Sequence, residues 1–142
     1  MNTKELEEAL KSEGCNSANY AINLCDAASD VFCLTERSGK WCVFYTERGI
    51  DHSPIFSSES EFEACNFFYN HIMSHEQNHC VGFFISESNA FEFQAELNKN
   101  KILSKSDAIP YGGAHDLRYR VFVYGKAIFQ VKTIFINIPV KD

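Results

Sequence analysis

The sequence lacks a hydrophobic run that could cross a membrane. A spanning helix needs about 20 consecutive apolar residues, and no stretch of this chain approaches that length. The N-terminal residues also lack the apolar segment of a secretion signal, because Glu5, Glu7 and Glu8 follow closely on Met1. The sequence therefore predicts a cytoplasmic protein that makes no membrane contact.

Basic residues are in the minority. The chain holds 13 Lys and Arg against 19 Asp and Glu, which gives a formal net charge of −6. Nucleic acids and anionic membranes both reward Lys and Arg, so this overall charge disfavours either as a partner. An acidic surface serves solubility and also favours basic partners.

Apolar residues, by contrast, are plentiful. They make up 45% of the chain, which includes 13 Phe, and such a composition is typical of a folded protein rather than a disordered one. At 142 residues the length predicts one domain, residues 1–142, with a single core.

Paired cysteine motifs are absent. The six cysteines stand apart in apolar segments, and no two form a CxxC pair. In a chain without an export signal, isolated cysteines of this kind indicate buried free thiols rather than disulfides or metal ligands.

Enzyme signatures are nearly absent. No Gly-x-Ser-x-Gly elbow is present, no Lys-Ser/Thr pair follows Gly112-Gly113 as in a phosphate loop, and His115-Asp116 has the character of a polar turn. One pattern remains, the HExxH segment His75–His79. A zinc peptidase needs both histidines on one continuous helix, whereas here a buried strand is predicted from Cys80 and the helix is expected to end near His75.

We therefore expect no catalytic residues, no metal and no cofactor. The alternative is a small zinc-dependent hydrolase that uses His71, His75 and His79, which are spaced at four-residue intervals.

Periodicity predicts the secondary structure of the first half. Thr3 is a candidate cap for a helix that ends near Ser12. Short strands follow over 20–24, 31–35 and 41–46, the last two joined as a hairpin by the turn at 37–40. After a short strand at 55–57, Ser58 and Glu61 form a capping box for a helix whose apolar stripe ends near Ile72.

The second half is predicted to hold a buried strand over 80–85, a helix over 89–100 and a loop over 101–115. Apolar alternation over 118–124 and 127–138, with Gly125-Lys126 between them, indicates a C-terminal β-hairpin. The fold class is therefore α+β: a single domain with one mainly antiparallel sheet, on which two or three helices pack.

One segment resembles a known family. Trp41, Val43 and Tyr45 alternate ahead of Glu47-Arg48-Gly49, and Phe56-x-Ser58-Glu59 and Glu63-Ala64-Cys65-x-x-Phe68 follow. This pattern is similar to one found in immunity proteins of contact-dependent growth inhibition and other bacterial polymorphic toxin systems. It covers about 30 of the 142 residues, and this chain has extra residues around Glu61-Phe62.

The resemblance implies a non-enzymatic antitoxin that binds the C-terminal domain of a cognate toxin and occludes its active site. The toxins of such systems are often nucleases and hence often basic, so acidic loop residues are the expected contacts. An adaptor domain with no toxin partner is a further alternative. The candidate toxin-binding residues lie in loops or at strand ends: Glu47, Asp51, Glu87, Asp107 and Asp116.

Overall fold

The structure, a computed structural model, describes residues 1–135. The chain forms two compact units, an N-terminal unit (Met1–Glu76) and a C-terminal unit (Gln77–Asp142). Among the described residues, no helix is both long and apolar enough to span a bilayer.

The N-terminal unit is a five-stranded sheet with two helices. In chain order the elements are α1 (Thr3–Ser12), β1 (Tyr20–Ile22), β2 (Val31–Arg37), β3 (Lys40–Glu47), β4 (Ile50–Asp51), β5 (Phe56–Ser58) and α2 (Glu61–Met73). The strands lie in the order β1-β2-β3-β4, and β5 also pairs with β3. All pairs are antiparallel except β1 with β2.

The turn between β2 and β3 sets the register of this sheet. Ser38 and Gly39 both have positive φ, 53° and 81°, as a two-residue hairpin turn that matches strand twist requires. Arg37 then pairs with Lys40, and the ladder continues to Val31 opposite Thr46. The predicted hairpin is confirmed.

Both helices begin at side-chain caps, though not at the predicted residues. The amide of Glu5 donates to Oδ1 of Asn2, so Asn2 caps α1 in place of Thr3. The amide of Glu63 donates to Oγ of Ser60, which caps α2, whereas Ser58 donates to the Glu63 carboxylate. A serine two residues further on completes the capping geometry because β5 still includes Ser58.

The two faces of the first sheet bury different clusters. The helices cover one face, where Leu6, Leu10 and Phe68 pack on Leu34 and Val43, all essentially inaccessible to solvent. On the other face the loop after β1 covers a smaller cluster formed by Cys25, Val31, Cys33 and Phe44.

The described part of the C-terminal unit contains three strands and two helices. They are β6 (Asn78–Phe84), α3 (Glu87–Lys99), β7 (Lys105–Pro110), β8 (Leu117–Tyr124) and α4 (Ala127–Ile134). The strands form an antiparallel sheet in the order β6-β8-β7. Both helices pack on one face, where α3 contributes Ala90, Phe93 and Leu97 and α4 contributes Ile128 and Val131.

The α+β class and the mainly antiparallel pairing are confirmed, but three details of the prediction are wrong. Strands fall in two sheets rather than one, and each sheet buries its own cluster against its own helices. The loop predicted over 101–115 contains β7. The second hairpin strand predicted over 127–138 is helical as far as Ile134, and 136–138 lie outside the described residues.

The error at α4 has a clear physical origin. Ile128, Val131 and Phe135 recur at helical spacing and contact the second core, while the intervening Gln130 and Lys132 imitate strand alternation. Because β7 already pairs with β8, the C-terminal hairpin is β7–β8 rather than β8 and its successor.

Phe68→Ala should destabilise the N-terminal unit by about 3–5 kcal/mol, the usual cost of deleting a buried aromatic side chain. Phe62→Ala makes the same change on the same helix where the ring is 62% exposed, and we expect a cost below about 1 kcal/mol. Urea unfolding followed by the fluorescence of Trp41, the sole tryptophan, measures both. Equal losses in the two variants would contradict the assigned core face.

Candidate functional site

A continuous array of aromatic and imidazole rings lies on the helix-covered side of the N-terminal sheet. Neighbouring rings contact each other in stacked, tilted or edge-to-face pairs, with centroid separations from 4.4 to 5.9 Å. We call this array the ring patch; its members are Phe32, Tyr45, His52, Phe56, Phe67, His71 and His75.

The helical part of the ring patch comes from four-residue spacing. Phe67, His71 and His75 recur one helical turn apart. Phe67 stacks on His71 with planes 9° apart, and His71 meets His75 edge-to-face at 4.8 Å. His75 lies just beyond the end of α2, and its Nδ1 donates to the carbonyl oxygen of His71 at 2.8 Å.

The sheet supplies the rest of the ring patch through its register. Phe32 on β2 pairs directly with Tyr45 on β3, and their rings are 5.0 Å apart. Phe56 on β5 is brought to the same face because it pairs with Val43, and it stacks on Phe67 at 4.4 Å. These rings are half-buried, whereas His52 and His75 are exposed.

His71 is the most constrained member. Its Nε2 is buried and has no hydrogen-bond partner among the described residues, while its ring packs edge-on against Phe32 at 4.5 Å. Burial, and then the proximity of His75, lower the pKa of His71 below its ordinary value. The neutral imidazole is therefore the form that the folded unit accommodates.

Carboxylates stand beside the ring patch. The amide of Arg48 donates to Oγ of Ser29 at 3.0 Å, which ties the loop after β1 to the end of β3. Partial desolvation and the negative charges of Asp30 and Glu47 raise the pKa of the Tyr45 phenol. Both carboxylates therefore lie within electrostatic reach of the ring patch.

Exposed aliphatic side chains flank members of the ring patch along the chain and in the sheet register. Ile50, opposite Glu47 in the β3–β4 ladder, is 68% exposed, and Ile55, whose amide donates to the Val43 carbonyl, is 48% exposed. Apolar and aromatic groups with charged neighbours are the composition of a protein-binding surface.

The alternative reading of the histidines, an HExxH zinc site, lacks the continuous helix that such a site requires. Helix α2 ends at Met73, and β6 begins at Asn78, so His79 lies on a strand while His75 follows a helix. Within residues 1–135, no group of three or more His, Cys, Asp or Glu side chains is arranged to hold a metal ion.

The serine and cysteine side chains give equally little support for a nucleophilic site. The Ser74 hydroxyl donates to the carbonyl oxygen of His71 at 2.6 Å, so its proton is not directed at His75. All six cysteines are free thiols, of which Cys80 is exposed, contrary to expectation. Burial raises the pKa of Cys33 to about 12 and that of Cys65 to about 11, which leaves little thiolate at neutral pH.

Two of the predicted contact residues lie in the N-terminal unit. Glu47 is exposed at the end of β3, with His52 Nε2 3.8 Å from its carboxylate. Asp51, on β4, accepts hydrogen bonds at 2.8 Å from the Thr46 hydroxyl and from Arg37, and these two contacts lower its pKa. The structure thus brings Glu47 and Asp51 onto one hairpin.

The other three lie in the C-terminal unit. Glu87 is exposed in the first turn of α3. Asp107 on β7 accepts two hydrogen bonds from Arg120, and Asp116 pairs with Arg118. Each of these two aspartates therefore faces an arginine that offsets its charge.

Charge is divided very unevenly between the units. The N-terminal unit contains five Lys and Arg against thirteen Asp and Glu, a net charge of −8, whereas the C-terminal unit contains eight against six, a net charge of +2. The acidic character of the chain thus belongs entirely to the N-terminal unit.

Comparison with models of protein families, with curated proteins and with solved structures finds no match to this chain.

The low pKa of His71 makes stability depend on pH. The folded state binds the proton less readily than the unfolded chain, whose histidine pKa is about 6.5. The free energy of unfolding therefore keeps its full value above about pH 6.5. Below that pH it decreases, and it levels off once the pH lies below the folded-state pKa of His71. His71→Phe keeps a ring but removes the titration, so we expect this variant to lose less stability than wild type between about pH 7 and pH 5.

Urea unfolding at several pH values measures the difference. His115→Gln, which removes an exposed loop histidine, is the control and should follow wild type. Parallel losses in wild type and His71→Phe would mean that His71 is not the group responsible.

Proposed function

We propose that the protein is an immunity protein that binds a basic toxin domain through the ring patch and its carboxylate neighbours. The observation that carries the proposal is the combination of half-buried rings with Asp30 and Glu47 in a unit of net charge −8. The resemblance of the β3–α2 segment to immunity proteins supports the same role, because β3 and α2 themselves supply Tyr45, Phe67 and His71.

The proposed binding mode separates two contributions. Aromatic side chains with few rotatable bonds supply most of the affinity when a partner buries them. Carboxylates at the edge attract a basic partner and raise the association rate. A nuclease has a basic groove for its phosphate substrate, so occlusion of that groove would block the toxin without any catalysis by the immunity protein.

Among the five acidic residues predicted from sequence, Glu47 fits this surface best. Asp51 is its neighbour, but Arg37 offsets its charge. Glu87, Asp107 and Asp116 belong to the unit of net charge +2, and we assign them a smaller share of the binding energy. In this role the protein acts in the bacterial cytoplasm, where the toxin domain arrives.

Glu47→Lys and Asp30→Lys should each slow association with the cognate toxin domain, because each reverses a charge that attracts a basic partner. We expect the association rate to fall by about tenfold at low salt, and the effect to shrink as salt rises. Kinetic binding measurements with the purified toxin domain test this. Glu8→Lys, at an exposed position on α1, is the matched control.

The aromatic contribution is tested separately by Tyr45→Ala, which we expect to weaken the complex by at least about 2 kcal/mol, mainly through faster dissociation. Circular dichroism and thermal unfolding establish that the variant remains folded. If Tyr45→Ala and both charge reversals bind as wild type and still protect cells, the toxin docks elsewhere. An absence of any binding by wild type would favour an adaptor with another partner.

A further inference from the structure

Two buried cysteines meet on the face of the first sheet that the helices do not cover. Cys25 lies in the loop after β1 and Cys33 lies on β2, and both belong to the small cluster that includes Val31 and Phe44. Cys25 is 6% exposed, and Cys33 is inaccessible to solvent. We call Cys25 and Cys33 the thiol pair. The fold brings its members together although they form no CxxC motif in the sequence.

The contacts of Cys25 direct its sulfur at the position of Cys33. The Cys25 thiol donates to the carbonyl oxygen of Ala21 at 3.7 Å and to that of Leu34 at 3.8 Å. Ala21 is the register partner of Cys33 in the β1–β2 pair, and Leu34 directly follows Cys33 on β2. Both contacts therefore hold the Cys25 sulfur over the part of the sheet from which the Cys33 side chain projects.

The other four cysteines lie in different surroundings. Cys15 and Cys65 belong to the cluster on the helix-covered face, and Cys80 lies on β6 in the C-terminal unit. Cys42 packs against the small cluster from β3, but its thiol donates to the carbonyl oxygen of Lys40 at 3.7 Å. The thiol pair is therefore the one pair of cysteines that are both buried in the small cluster.

The two members of the thiol pair differ in acidity. Burial raises the pKa of both thiols, that of Cys33 to about 12. Hydrogen bonding between them counteracts part of this rise at Cys25 and adds to it at Cys33. The Arg37 guanidinium, 4.2 Å from the centroid of Phe44 in the same cluster, also favours the thiolate of Cys25. Cys25 is therefore the member suited to react first.

The loop that covers the thiol pair provides a route to it. Asn23 and Asp30, near its two ends, have left-handed backbone with φ of 68° and 60°, a conformation that Asn and Asp adopt more readily than most residues. Leu24, directly before Cys25, is 88% exposed, so its side chain adds little to the packing of the loop. Local opening of a surface loop costs less than global unfolding, so a small reagent reaches Cys25 while the helix-covered core stays intact.

From this arrangement we propose that Cys25 and Cys33 form a reversible disulfide when the protein meets a low-molecular-weight disulfide such as oxidised glutathione. The Cys25 thiolate attacks one sulfur of the oxidant and releases one thiol, which leaves a mixed disulfide on Cys25. Cys33 then attacks the Cys25 sulfur, and its proton passes to the second departing thiolate. The protein gives up two electrons and two protons, and the oxidant becomes two thiols.

The disulfide joins the loop to the sheet that it covers. Ser29, which accepts from the Arg48 amide, and Asp30, which acts on Tyr45, lie inside the closed segment 25–33. Oxidation therefore restrains the loop on the side that reaches the ring patch. In reducing compartments a disulfide of this kind is usually transient and senses redox state.

This inference goes beyond the proposed antitoxin role and does not depend on it. The expectation of free thiols, drawn from the spacing of the cysteines, then applies to the reduced protein only.

Peptide mapping of the full chain after oxidation with glutathione disulfide tests the proposal. The sample is quenched with acid, alkylated and digested. Cleavage before Asp26 and Asp30 separates the two members of the thiol pair, and trypsin removes Cys42 from the Cys33 peptide. We expect a linked pair of peptides from the folded protein, which dithiothreitol releases.

Three variants identify the linked residues. Cys25→Ser and Cys33→Ala should each abolish the linked pair, whereas Cys15→Ser, which replaces the other cysteine of the Cys25 peptide, should retain it. Circular dichroism verifies the fold of each variant. Oxidised wild type should melt at a higher temperature than reduced wild type, because the bond restricts the unfolded chain, and Cys25→Ser should show no such increase.

The order of the two steps is tested with the same oxidant. Cys33→Ala should retain glutathione on Cys25, whereas Cys25→Ser should carry at least about tenfold less glutathione on Cys33. Equal adducts in the two variants, a linked pair that forms only in urea, a link from Cys25 to Cys42 in the folded protein, or oxidised wild type without any linked pair would each overturn the proposal.

Discussion

The register of the β2–β3 hairpin decides what every side chain of the N-terminal sheet does. With Ser38 and Gly39 in the left-handed region, Leu34 and Val43 point to the helices, Phe32 and Tyr45 join the ring patch, and Phe44 faces the other side. A slip of one residue would exchange the two faces completely. The core, the candidate binding surface and the cluster beneath the loop after β1 thus share one geometric condition.

Both units place aromatic side chains at the boundary between core and solvent, but they combine them with different charges. In the N-terminal unit the neighbours are carboxylates and imidazoles, whereas in the C-terminal unit they are guanidinium and ammonium groups over the rings. Ring surfaces supply contact area with little loss of rotamer freedom, and the charge beside them selects the class of partner. One chain of net charge −6 thus carries aromatic side chains in two different electrostatic surroundings.

Sequence patterns predict the elements that local chemistry determines. The β2–β3 hairpin, α1 and α2 follow from turn residues, caps and periodicity, and α3 is found because serine precedes an alanine- and glutamate-rich stretch. Strand β7 was missed because Lys105, Ser106 and Asp107 are poor strand formers, and only pairing with β8 makes them a strand. Helix α4 was misread because its apolar residues fit both periods.

The candidate sites were harder to predict for a different reason. The acidic residues were identifiable by type, but sequence does not show that Arg120 and Arg118 offset two of them. The ring patch was missed because Phe67, His71 and His75, taken alone, resemble the edge of a helical core stripe. The four-residue spacing was visible, yet its meaning depends on Phe32 and Tyr45, which the chain brings from two other elements.

The composition of β7 also bears on the behaviour of the protein at high concentration. Among residues 1–135, β7 is an outer strand of the order β6-β8-β7, and the backbone groups on the edge of an outer strand can recruit a strand from another molecule. Lys105 and Asp107 place charges along this border, and Pro110 removes a backbone donor at its end. The polar residues that make β7 difficult to predict from sequence therefore also protect the folded chain against edge-to-edge aggregation.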